Sequence, residues 1–230
     1  MAGTLTSRAA DAPTTTETRS GWKEIAETLE LDIITGKLHL REHLVEDDLI
    51  RRFQASRYAV RRALDEMHAL GLVVRNQNRG AYIRDYTAQE VHDLFGVREI
   101  LESAAATQIP MPVSDDFLRS LVSLQKQHDA AMREGDYFRL FSLNNAFHQT
   151  LFSACNNAAL NKAIAHYSMQ VQPIRMQFVH NENRRKQTSE EHWEMIEALK
   201  QGDSKALARV CVQHLSVTKQ LFLKSLEGKL

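Results

Sequence analysis

The chain has 230 residues, 43% apolar and 25% charged, with 29 basic and 29 acidic side chains in formal balance. That length suits two modest domains with a core each, and no apolar stretch is long enough to cross a bilayer, so a soluble, non-membrane protein is expected. The two cysteines, Cys155 and Cys211, form no CxxC pair, which excludes a disulfide framework or a zinc ribbon and marks them as reduced, packed thiols.

Residues 1–19 are rich in Thr, Ala and Ser and lack an apolar run of signal-peptide length; a disordered tail and a cytoplasmic location follow. Trp22, Ile25, Ala26, Leu29 and Ile33 then recur at three- and four-residue steps, one face of an amphipathic helix, with Gly36 where a left-handed C-terminal cap is expected. After a polar connection, a short helix is expected over residues 47–53 and a tight turn over 54–56. Ser56 is placed to cap a third helix over residues 57–70 that buries Val60, Ala63, Leu64 and Met67 and stops at Gly71. Two short β-prone runs, residues 72–74 and 81–83, flank a polar loop and read as a hairpin.

The order helix, helix, turn, helix, hairpin is that of a winged helix-turn-helix, placed at residues 20–86. From residue 87 to 230 every apolar pattern has a helical period and the breaks are short, so the second domain is expected to be an all-α antiparallel bundle. The protein as a whole is mainly α.

The zero net charge hides a local excess. Between positions 49 and 84 eight arginines, at 51, 52, 57, 61, 62, 75, 79 and 84, stand against Asp65 and Glu66 alone. Lys and Arg concentrated on one segment are the electrostatic footprint of a phosphate-binding surface.

Leu44, Glu46, Leu49, Ser56-Arg57, Val60-Arg61, Ala63-Leu64, Gly71-Leu72-Val73 and Arg79-Gly80 stand at spacings that resemble the DNA-binding domain of the GntR family over residues 22–85. The resemblance implies that Arg51, Ser56, Arg57, Arg61 and Arg62 face DNA, with Arg57 reading bases from the N-terminal end of the recognition helix. It also implies that Arg79 and Gly80 of the wing reach the adjacent minor groove or backbone. This chain departs from the family pattern at four positions. Asp47 stands where an Arg that contacts DNA is common, so its carboxylate must turn away or pair with Arg51. Gln54 replaces a turn glycine, Ala59 a proline, and Arg62 a glutamate, which suggests a different operator.

In the second domain three stripes carry polar interruptions: Phe141, Asn144, His148 and Leu151; His192, Ile196 and Leu199; and Leu207, Cys211, His214, Thr218 and Leu221. Buried imidazoles are costly without partners, and one divalent cation would satisfy all three histidines. The other histidines, His39, His43, His68, His128 and His180 among them, show no such pattern and are assigned no function. Residues 97–102, Phe147-His148, Glu191-His192, Ala198-Leu199, Gly202-Asp203 and His214-Leu215 resemble the FCD type of ligand-binding domain of the FadR branch. That resemblance implies metal ligands at Asn144, His148, His192 and His214, with Asn144 where a carboxylate is common. The ion is then zinc, nickel or another divalent transition metal, held more weakly for want of that charge. Arg98 and Arg175 are candidates to fork onto a ligand carboxylate, although Arg98 can equally form a surface ion pair with Glu102, four residues on.

The function these features support is a homodimeric transcriptional regulator, a repressor by the family's common mode. It binds a palindromic operator and is modulated by a small organic or sugar acid at the metal. The rival readings are a metal-dependent enzyme on the helical bundle, which lacks an acid or base at a recognisable spacing, and a second domain that serves only to dimerise.

Overall fold

The computed structural model describes residues 20–76 and 80–228, so the tail at 1–19 and the wing residue Arg79 lie outside the described residues. The first unit runs α1 (Trp22–Ile34), β1 (His43–Leu44), α2 (Glu46–Phe53), α3 (Arg57–Ala69), β2 (Val73–Asn76) and β3 (Gly80–Ile83). Its core is the apolar faces read from the sequence: Ile25, Leu29 and Ile33 of α1 meet Val60, Leu64 and Met67 of α3, with Leu72 and Ile83 beneath. Fully burying side chains of this size contributes about 1.5–3 kcal/mol each relative to exposure, before chain entropy is subtracted. Asp32, buried at the end of α1, takes an ion pair from Arg52 and so ties α2 to that core. The Ser56 hydroxyl accepts from the Ala59 amide at 3.2 Å and caps α3.

The expected hairpin supplies the central strand β3 and the edge strand β2 of a three-stranded antiparallel sheet of order β1-β3-β2. β1 is two residues long, too short to carry a period; it exists because His43 and Leu44 pair with Tyr82 and Ala81. The His43 and Tyr82 rings stack with centroids 4.5 Å apart. Gly80 begins β3 at φ +83°, and a Cβ there would lie 2.6 Å from His43 Nε2, so both its backbone and its neighbour favour glycine.

Gln54 is the left-handed C-cap of α2, at φ 47° and ψ 36°. Relief of the Cβ clash in that region is worth about 1–2 kcal/mol, against about 0.4–1 kcal/mol for the added freedom of an unfolded glycine. Gln54→Gly is therefore expected to stabilise the protein by about 0.5 kcal/mol, seen as a higher denaturation midpoint at unchanged slope.

The second unit contains α4 (Ala88–Gln108), α5 (Asp115–Glu134), α6 (Tyr137–Ser153), α7 (Ala158–Gln170), α8 (Gln172–Met176), α9 (Glu182–Lys200) and α10 (Ser204–Leu226). Thr87 and Glu90 form a reciprocal capping box at the start of α4. Helix α4 packs along α10, α5 along α6, and α9 against both α5 and α10. The core between them holds Leu121, Phe147, Leu151, Met195, Ile196, Leu199, Leu207 and Cys211. On α10 the buried residue near the end of the stripe is Phe222, while Leu221 is only partly covered. A further cluster joins Tyr86, Phe95, Ile174, Leu215 and Phe222 with Leu40 of the first unit, and the Tyr86 hydroxyl donates to the Gln170 carbonyl at 2.5 Å. Both units therefore contribute to one apolar seam. No helix among the described residues is long and apolar enough to cross a membrane.

Candidate functional site

Two surfaces concentrate chemistry. On the first unit, the N-terminus of α3 presents Arg57 and Arg61 one turn apart, both about half exposed. Neither is free: Arg61 Nε donates to Glu46 Oε2 at 2.9 Å and Arg57 Nη2 donates to Asp47 Oδ1 at 2.8 Å. Asp47 thus turns to Arg57 and not to Arg51, because Arg51 is taken by Asp48 on its own helix. Arg62, more than a quarter of a turn off that face, lays its guanidinium over the Trp22 ring at 5.0 Å.

On the second unit, α6, α9 and α10 bring His148, His192 and His214 together, with one nitrogen from each within 4.8 Å of the others. His148 Nε2 lies 3.2 Å from His214 Nε2 and 3.3 Å from His192 Nε2. Ligand nitrogens at a metal–nitrogen distance of ~2.1 Å stand about 3.0–3.4 Å apart in octahedral or tetrahedral geometry, so the two spacings from His148 match those of a shared divalent ion.

The surroundings fix which nitrogen carries the proton in His192 and His214, while His148 Nδ1 is buried without a partner among the described residues. Gln125 donates its amide nitrogen to Asp129 Oδ1 at 2.7 Å and to the Ser189 hydroxyl at 3.1 Å, which leaves its carbonyl oxygen facing His192 Nδ1 at 2.7 Å. His192 must donate there, and its Nε2 keeps a lone pair for the centre. His214 Nδ1 likewise donates to Glu191 Oε2 at 2.7 Å. Glu191 is itself held by Arg184 Nη1 at 3.0 Å, and Arg184 continues to the His214 carbonyl at 3.0 Å and to the Thr218 hydroxyl at 3.2 Å. Burial holds all three imidazoles well below their ordinary range, so they are neutral. Neutral nitrogens with inward lone pairs are metal donors, and they repel one another less when a cation sits between them.

The orienting carbonyl of Gln125 can be removed without a large change of volume. Gln125→Leu is expected to lower zinc affinity about 10–100-fold in a competitive chelator titration, leaving the helix content by circular dichroism unchanged.

Beside this cluster is a cavity of about 360 Å³ whose wall includes His148, His214, Asn144, Phe141, Arg98 and Arg175, within the size range of small-molecule sites. Arg184 and Arg185 also reach it, and the lining among the described residues has no aspartate or glutamate. Arg98 forks onto Glu102 through Nε at 3.1 Å and Nη2 at 2.7 Å. This pair is buried, not on the surface, because α4 turns that face inward under α10. Arg175 donates to the neutral Asn145 Oδ1 at 3.0 Å and lies over Phe141, while Arg185 donates to the Val179 carbonyl at 2.8 Å. Among the described residues, Arg175 and Arg185 thus hydrogen-bond to neutral acceptors and form no ion pair with a carboxylate. Burial, then the neighbouring Arg98, brings Arg175 down to about 9 against the opposing pull of the Glu102 carboxylate. Asn144 Nδ2 is buried with no partner.

His128, assigned no role from the sequence, is buried on α5 and also lines the cavity. Its ring centroid is 5.1 Å from that of His192, and burial brings it down to about 4. Gln125 and Arg184 were missed as well. The available signal on α5 was Leu121, Gln125 and His128 sharing a face with Ala131, another stripe with polar interruptions.

Comparison with known proteins decides the family. The FCD domain model matches residues 93–217, more than half of the chain, and the model of the gntR family of bacterial regulatory proteins matches residues 22–83. The chain belongs to the GntR family and carries an FCD domain. It is 26% identical over 196 residues to the HTH-type transcriptional regulator BphR of Paraburkholderia xenovorans, covering 81% of this chain and 79% of that one. To the HTH-type transcriptional repressor RspR of Escherichia coli it is 23% identical over 193 residues, covering 84% and 85%. The fold is shared with a chain described as a GntR transcriptional regulator from Rhodococcus sp. RHA1, at a TM-score of 0.75 and 20% identity over 88% of this chain and 97% of that one.

As a GntR regulator the protein is a DNA-binding transcription factor and not an enzyme. The gntR match spans α1 to β3 and so takes in Arg57, Arg61 and their acidic partners, whereas the FCD match contains all three clustered histidines, Asn144, Arg98 and Arg175.

Proposed function

We propose that this GntR regulator is a homodimeric repressor that binds a palindromic operator and is released by a small carboxylate, an organic or sugar acid, bound beside a metal ion in the FCD cavity. The observation that carries this reading is the juxtaposition of three inward-facing imidazole nitrogens with a cavity wall rich in arginine and free of carboxylates among the described residues. His148, His192 and His214 hold the ion through Nε2, with Asn144 adding its amide oxygen. When bound, zinc or nickel supplies a Lewis-acidic point for a carboxylate oxygen. Arg175 takes the rest of the ligand's charge, Arg98 adds the donors that Glu102 leaves free, and Phe141 covers the apolar part.

Four neutral ligand side chains leave the ion's charge uncompensated. The anion therefore completes the electrostatics of the site, which supports a carboxylate over a neutral effector. On the DNA side, Arg57 and Arg61 enter the major groove from the N-terminal end of α3, with Arg51, Ser56 and Arg62 beside them and Arg79 and Gly80 reaching from the wing. Ligand binding can alter operator affinity only through a difference in affinity for two arrangements of the dimer. The shared seam around Leu40, Tyr86 and Ile174 gives the two units a common surface through which such a difference can act.

The test is to incubate the purified protein with fragmented genomic DNA from its source at about physiological salt, then recover and sequence what binds. Enrichment of one palindrome supports the reading. Only general, salt-labile binding would remove it.

A further inference from the structure

The first turn of α2 faces the N-terminus of α3 with two carboxylates in different situations. Glu46 is the more covered and is shared, lying 2.9 Å from Arg61 Nε, 3.5 Å from Arg75 Nη2 and 3.6 Å from Arg57 Nη1. Asp47 is exposed and is committed to one partner, the Arg57 guanidinium, at 2.8 Å. At 3.6 Å Glu46 is beyond hydrogen-bond reach of Arg57. Among the described residues, Asp47 therefore supplies the one hydrogen bond that fixes the Arg57 side chain.

We infer that Asp47 is a positioning residue for base recognition: it holds the Arg57 guanidinium in one orientation at the tip of the recognition helix and so sharpens preference at the base pair that Arg57 reads. The inference rests on the DNA-reading role given to Arg57 above. An arginine has five N–H donors in a rigid fork, and Asp47 uses one of them. The remainder still suffice for the two acceptors, O6 and N7, that guanine presents in the major groove. A long side chain that is otherwise free meets any base or a phosphate with little discrimination; one already hydrogen-bonded on one edge presents a defined fork.

The same carboxylate carries a cost of opposite kind. A negative charge at the protein–DNA surface repels phosphates and lowers binding to every sequence alike. Asp47 thus trades general affinity for discrimination, and the two effects separate experimentally.

The full chain and its D47A, D47N and R57A variants are to be selected against a pool of random DNA duplexes, and each is then titrated on an unrelated duplex at several salt concentrations. The wild type is expected to enrich one motif, and R57A to lose preference at one base pair of each half-site. D47A is expected to relax preference at that same pair about 5–10-fold, to bind the unrelated duplex more tightly, and to show a salt slope steeper by about one. D47N keeps an oxygen that can accept from Arg57 and should restore the base preference without restoring the wild-type salt slope. Equal stringency of D47A and wild type at that pair overturns the inference, as does relaxation at a pair that R57A leaves intact. If the wild type enriches nothing, the DNA-reading role of Arg57 falls and this inference with it.

Discussion

Replacing Glu191 with alanine is expected to destabilise the protein by about 3–5 kcal/mol, because it strips a buried arginine of its charge partner. Arg184 and Glu191 are both nearly inaccessible, and after the change the guanidinium keeps only two neutral acceptors, the His214 carbonyl and the Thr218 hydroxyl. Domain stabilities commonly total about 5–15 kcal/mol, so a loss of that size removes at least about a fifth of the total. Urea titration followed by circular dichroism measures it. E191Q, which preserves an acceptor for His214 Nδ1 but not the charge, should fall between wild type and E191A. The double variant R184M/E191L removes both charges and should be more stable than E191A alone, since the penalty lies in the orphaned ion and not in the absence of the pair. If E191A unfolds at the wild-type midpoint, the Arg184–Glu191–His214 chain is not a buried network.

The second large effect belongs to the DNA face. Arg57→Ala is expected to weaken binding to the selected operator by about 1–3 kcal/mol, roughly 5–150-fold, while binding to unrelated DNA falls far less. Fluorescence anisotropy on the two duplexes separates these. Arg61 shares its acidic partner with Arg57 and Arg75; if it contacts phosphate only, its alanine variant should weaken both duplexes by a similar factor and flatten the salt dependence by about one. A loss for Arg57→Ala that is equal on both duplexes would make Arg57 a phosphate contact as well.

Much of this was readable from the chain because periodicity survives folding. Ile25, Leu29 and Ile33, or Val60, Leu64 and Met67, are buried where their spacing says they must be, and the three histidines meet because each interrupts an apolar stripe that has to face the core. What was not legible depends on pairing across elements. β1 has no pattern of its own and is defined by β3. Arg184 stands at the start of α9 among Glu182, Arg185 and Lys186, where a solvated helix end is the ordinary reading; only its place one face and seven residues before Glu191 draws it inward. For Asp47 the sequence offered Arg51 on the same helix, and only the packing of α2 on α3 selects Arg57. Gln125 acts through an amide orientation set by Asp129 and Ser189, two residues far apart in the chain.

The most direct test of the central claim, that an anion at the histidine cluster governs operator binding, is the anisotropy of the selected operator with zinc-loaded protein titrated with a panel of small hydroxy-carboxylates and sugar acids. At least one member is predicted to shift operator affinity by about 5–150-fold, the usual range of coupling between sites. That shift should vanish in His148→Ala and Arg175→Ala while their affinity without the acid stays within a few-fold of wild type. An operator affinity that is the same with every member of the panel, after chelation of the metal, and in both variants would contradict it.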